Sequence, residues 1–156
     1  REPLVRTVHS YAFAVLRLQA SAHGNPPPRL IPGWDEPPQA ALLHGIGQFN
    51  RGEYWECHET LEALWRAETR EIRDLYQGIL QVGVALHHLK NNNYAGAIKV
   101  FRRGLARLQG LPAVCQGVHV LELATAARGV HDAALDLGPG RLAELALPYP
   151  VIRVSA

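Results

Sequence analysis

The chain has 156 residues, the size of one compact domain, and 47% of them are hydrophobic, which excludes a disordered chain. A chain of this length buries roughly two-thirds of the surface its unfolded form exposes. The formal charge of +2, with the arginines spread along the chain, lacks the strong basic excess of a nucleic-acid binder, and no stretch reaches the roughly 18 uninterrupted apolar residues of a membrane helix.

Residues 4–20 have the spacing of an amphipathic helix, with Leu4, Val8, Tyr11, Val15 and Leu18 on one stripe. The opening REPLVRTVHSYAFAVLRL is too polar to be expected as a signal peptide. HGNPPPRLIPGWDEPP, residues 23–38, carries six prolines and is expected to be extended or turning, clamped onto the body through Leu30, Ile31 and Trp34. Residues 39–50 predict a second helix, stopped at Gly52 in NRGEY. EYWECHETLEALW follows, a helix running to about Ala67. Residues 71–90 are apolar on almost every side, which predicts a central helix ended by the NNN triplet. Residues 94–109 form the next, with Ile98, Phe101, Leu105 and Leu108 on one stripe. The last long helix spans 117–137 and stops at Gly138, and LPYPVIRVSA is expected to lie extended over the bundle. No stretch alternates as a strand.

The fold class is therefore all-α: a compact multi-helix bundle of antiparallel helical hairpins. Residues 1–38 supply an N-terminal helix and a Pro-rich connector packing on the body, and 39–156 the bundle itself. The expected core gathers Phe49, Leu61, Leu64, Trp65, Ile79, Val82, Leu86, Ile98, Phe101 and Leu105. Cys57 and Cys115 form no CxxC pair and read as reduced thiols of a cytoplasmic protein.

At about 100° per residue, His58 and Glu62 fall inside the apolar arc of their helix, one turn apart; Glu59 sits on its edge and Glu56 outside. Tyr54, Trp55 and Trp65 belong to the same arc, as core or cleft-lining aromatics. On the central helix Gln77, Gln81 and His88 line one narrow seam on an otherwise apolar surface. Buried polar groups require partners, at roughly 1–3 kcal/mol each if left without them, so the seam is expected to face His58 and Glu62. Gly78 and Gly83 of the same helix point to close helix approach or to room left for a ligand.

Three chemistries fit such a cluster. It is a structural network fixing two helices in register, an acid–base pair with Glu62 raised by the neighbouring tryptophans, or a metal site. For the last, His58, Glu62 and His88 are the candidate ligands, with His87 in reserve and Glu59 as base. The sequence has HExxE rather than HExxH, and glutamines are poor ligands. No metal or other cofactor is therefore expected, although a divalent metal remains the open alternative.

FNRGEYWECHETLEALWR followed by LYQGILQVGVALHHLKNNNYAGAIKVFRRGLARL resembles the domain-of-unknown-function family numbered 309. The residues carrying the resemblance are Phe49, Asn50, Gly52, Tyr54, His58, Glu59, Glu62, Trp65, Gln77, Gly78, Gln81, His88, Gly96 and Ala97, within about 40–110. It implies a small all-helical, prokaryotic, cytosolic protein and carries no assigned activity. The two segments also resemble tetratricopeptide hairpins, of which a free-standing array needs three or more.

Two functions follow. The first is a binding or structural module built around the His/Glu/Gln cluster, with a small molecule or a protein as partner, and neither nucleic acid nor membrane. The second is a metal-dependent, hydrolase-like enzyme using His58, Glu59, Glu62 and His88. The sequence favours the first, having no nucleophile elbow, phosphate loop or dinucleotide fingerprint. It leaves enzymatic activity and oligomeric state open.

Overall fold

The computed structural model describes residues 36–155, and the expected helix at 4–20 and most of its connector lie outside them. Helix α1 spans Glu36–Asn50, α2 Tyr54–Ala67, α3 Arg73–Lys90, α4 Tyr94–Gln109 and α5 Val120–Leu137. Each packs on the next in sequence. Loops of three residues after α1 and after α3 fold consecutive helices back on one another as hairpins.

α1 begins at Glu36, so Pro37 and Pro38 lie in its first turn rather than in an extended connector. The correction has a simple cause: first-turn N–H groups have no intrahelical acceptor, so a proline there loses nothing. Leu42, Ile46 and Phe49, at helical spacing, carry the buried face of α1. Gly52 then turns the chain at φ 79°, a conformation that favours glycine. α3 is the central element. Leu75, Tyr76, Ile79, Val82, Ala85 and Leu86 on it are completely buried, and α2 and α4 flank it.

Two glycines set the spacing of α3 and α4. A Cβ on Gly78 would lie 2.4 Å from Leu108 Cδ2, and one on Gly104 would lie 3.1 Å from Gln81 Cβ and 3.2 Å from the Gly78 carbonyl oxygen. Gly78 thus answers the expectation of close helix approach. Gly83 does not, since its added Cβ would meet Phe49 at an ordinary 3.6 Å. Of the expected core, Phe49, Leu61, Ile79, Val82, Leu86, Ile98, Phe101 and Leu105 are buried, and Leu64 and Trp65 pack partly buried against it.

α5 starts at Val120, three residues later than expected, because the chain first makes a hairpin. Val114–Cys115 (β1) pairs antiparallel with Val118–His119 (β2). Gln116 and Gly117 between them both have positive φ, 53° and 80°, the geometry of a two-residue primed turn. With two residues per strand no alternation was visible, although Gln-Gly flanked by Val-Cys and Val-His was the available signal. The tail adds to this hairpin. Val154 bridges Val118, the Ser155 N–H donates to the Gly117 carbonyl at 2.7 Å, and Ile152 is buried. Asn50 holds it from the other side, donating to the Ile152 carbonyl at 2.9 Å and accepting from the Ile152 N–H at 2.7 Å.

Candidate functional site

α2 buries Tyr54, Cys57 and Leu61, and burial pushes the Cys57 thiol and the Tyr54 phenol each up to about 12. That face fixes the rotation of the helix and leaves His58 and Glu62 on the shoulder beside it. Their side chains keep 22% and 28% of their surface exposed, and His58 Nε2 lies 3.2 Å from Glu62 Oε2. Glu62 Oε1 accepts from Arg66 Nη2 at 2.6 Å. The chain of contacts therefore runs along α2 itself, from position 58 to 62 to 66. It does not tie two helices together as a buried network would. Glu59 is exposed.

The polar seam of α3 proves to be the partly exposed outer stripe of that helix. Arg73, Asp74, Gln77, Gln81, Val84, His87 and His88 keep part of their surface, while the residues between them are buried. A polar stripe on an apolar helix is most simply the strip that meets solvent, and it parts to two sides. On the α2 side Trp65 lies under the Arg73 guanidinium, 4.7 Å from ring centre to carbon. Trp55, 48% exposed, lies 4.9 Å from the His58 ring and 5.5 Å from the His87 ring. On the α4 side Gln81 shares a cavity with Arg103, Ala106 and Arg107. His88 is 3.2 Å from Asn93, the cap of α4. Burial, and then His87 beside it, lower its pKa.

The expected meeting of His58 and Glu62 with Gln77, Gln81 or His88 therefore does not occur. Phase around a single helix orders side chains on that helix and says nothing of which neighbour each one meets. His87, about 100° from His88 by the wheel, is the histidine that shares an aromatic partner with His58. Among the described residues no group of three His, Cys, Asp or Glu side chains is arranged to hold a metal ion, so His58, Glu62 and His88 do not converge as a ligand set. Tyr54 is a core residue, packed edge-on against Phe49 with ring centres 5.4 Å apart. Trp55 and Trp65 line the outer face.

Three buried polar atoms on or beside this stripe make no hydrogen bond with the described residues: His58 Nδ1 on α2, and Arg73 Nε and Gln81 Oε1 on α3. Sequence reasoning missed Arg73 as a contributor, and missed Arg103 and Arg107, which lie on a helix whose pattern advertised only its apolar stripe.

The comparisons with known proteins cover this region. Residues 42–100 match the family model described as Domain of unknown function (DUF309). The DUF309 match contains His58, Glu62, Gln77, Gln81 and His88, and stops before Arg103. An uncharacterized protein of Aquifex aeolicus (strain VF5) is 28% identical over 76 residues, 48% of this chain and 23% of that protein. The uncharacterized protein YpuF of Bacillus subtilis (strain 168) is 34% identical over 94 residues, 60% of this chain and 44% of its own length. The matching stretch spans less than half of each relative. The chain is thus a helical module whose residues 42–100 are similar to the DUF309 family. Among its described residues no helix is long and apolar enough to cross a membrane.

Proposed function

We propose that this protein is a binding module that takes a small molecule or a partner protein on the outer face of α3, where α2 adjoins it. The observation that supports it is the half-exposed ring of Trp55 against the His58 and His87 rings, with His58 Nδ1 and Arg73 Nε on that flank lacking a hydrogen-bond partner among the described residues. A structural network satisfies its members, because each buried polar atom left without a partner costs roughly 1–3 kcal/mol. An accessible aromatic ring flanked by polar side chains with unused hydrogen-bonding capacity is what a recognition surface offers: flat area for stacking, with donors and acceptors that a side-chain movement brings to the ligand. The two buried free thiols, Cys57 and Cys115, fit a reducing compartment such as the cytoplasm.

Stability and binding separate this reading from the structural one. His58→Leu and Arg73→Leu remove unsatisfied groups, so both variants are expected to melt at or above the parent temperature. A tryptophan-fluorescence titration against nucleosides, aromatic amino acids and dicarboxylates is expected to give a binder whose signal Trp55→Ala abolishes. Loss of several degrees of melting temperature in both leucine variants would make these residues pillars of the fold and end the proposal.

A further inference from the structure

The α4 flank of the same stripe is chemically different. α4 carries Lys99, Arg102, Arg103 and Arg107 and no acidic residue. Arg103 and Arg107, at i and i+4, sit one turn apart on α4 with the small Ala106 beside them, and Gly104 brings this helix within van der Waals reach of Gln81. Together with Gln81 they line a cavity of 320 Å³. Arg103 has no carboxylate partner among the described residues. Arg107 has one, Asp74, whose Oδ1 lies 3.5 Å from Nη1; a guanidinium has five N–H donors, and this contact uses one.

Gln81 completes the set. Its carbonyl oxygen is the buried end and makes no hydrogen bond with the described residues, so the N–H₂ is the end left on the cavity side. Two guanidinium forks and an amide N–H₂ make a donor-only pocket, the arrangement that matches a tetrahedral oxyanion. The volume lies at the lower end of the roughly 300–1,000 Å³ of small-molecule sites, which leaves room for an organic portion beyond the anion.

We infer that Gln81, Arg103 and Arg107 form a subsite for the phosphate group of a small phosphate monoester. It stands on the α3–α4 groove alone and is independent of any ligand at Trp55 and His58. The test is a ¹H–¹⁵N correlation titration of the full chain with glycerol 3-phosphate and, separately, inorganic phosphate, with sodium chloride holding ionic strength constant. The expected result is saturable shifts at the Gln81 side-chain amide and the Arg103 and Arg107 Nε–H groups, with glycerol 3-phosphate at least tenfold tighter than inorganic phosphate. Arg103→Gln and Arg107→Gln should each weaken binding at least fivefold, Lys99→Gln and Arg102→Gln should leave it unchanged, and Asp74→Asn should tighten it by releasing Arg107. All the substituted side chains lie at least partly exposed, so the variants fold. Shifts that never saturate, or that Lys99→Gln weakens as much as Arg103→Gln, reduce the feature to diffuse charge and overturn the site. Equal affinity for the two ligands assigns it to free phosphate and overturns the monoester.

Discussion

Glu68 shows how much a single side chain outside the predicted cluster contributes. It follows the last residue of α2, its side chain is 9% exposed, and Oε1 accepts from the backbone N–H groups of Thr69 and Arg70 at 3.1 and 3.0 Å. Both oxygens also meet the Arg70 guanidinium, at 2.7 and 2.6 Å. The Arg70 side chain first, and those backbone donors with it, outweigh burial and hold the carboxyl down at about 2, against 4.5 for an ordinary glutamate. A carboxyl depressed by folding stabilises the native state above its unfolded pKa, and that stability fades as pH falls from about 4.5 through 2. We expect Glu68→Gln to cost about 1.5 kcal/mol near pH 7, at the low end for charged hydrogen bonds because Arg70 is partly in solvent. The melting-temperature gap between variant and parent should then close on acidification below pH 4.5. A gap independent of pH would show that charge is not what Glu68 contributes. Nothing in the hydrophobic pattern marks this residue; the only hint is a Glu-x-Arg run at a helix end.

At the scale of elements, what was legible depended on length and on neighbours. α4 could be read to its ends, because NNN stops the preceding helix and Ile98, Phe101, Leu105 and Leu108 repeat over about three turns. The β1–β2 hairpin could not, because two residues do not make a period. The candidate site was half legible. Apolar phase put His58 and Glu62 near the buried arc of α2 and gathered Gln77, Gln81 and His88 on one stripe of α3, but the choice of facing helix depends on packing between helices. There the glycines decide. A Cβ at Gly78 would strike Leu108, so Gly78→Ala should destabilise by about 1–3 kcal/mol through overpacking. Gly129, in the middle of α5, has nothing within 4 Å of its added Cβ, and Gly129→Ala should stabilise by about 0.5–1 kcal/mol through backbone entropy alone. Chemical denaturation of the pair measures both signs. A stabilising Gly78→Ala would mean that α3 and α4 part more easily than their contact distance indicates.

Across the whole molecule, the distinctive feature is a closure of ends. Successive hairpins alone would leave α1 and the tail as separate edges, each contacting only its sequence neighbour. Instead Asn50, at the end of α1, holds Ile152 through paired donor and acceptor contacts across 102 residues of sequence separation. Tyr149 adds a ring contact to Tyr54 at 6.2 Å, and Arg153 pairs with Glu122 and meets His119. One segment therefore touches the first helix, the second, the hairpin and α5. Asn50 belongs to the residues that carry the family resemblance, and its geometry explains it as a substitute strand edge: a side-chain amide reproduces the donor and acceptor of a backbone. Asn50→Ala removes both contacts and leaves a backbone N–H and a carbonyl without partners, at roughly 1–3 kcal/mol each where they are shielded from water. Asn50→Asp keeps the acceptor and loses the donor, and should fall between. Hydrogen exchange gives the spatial readout. In Asn50→Ala the amides of Ile152 and Ser155 should exchange faster, and Val118 with them, while those in the middle of α3 and α4 keep their protection. If α3 loosens together with the tail, the clasp is part of a single cooperative unit and not a local closure; if neither changes, the tail is held by the burial of Ile152 and its bridge to Val118, and Asn50 is incidental to it.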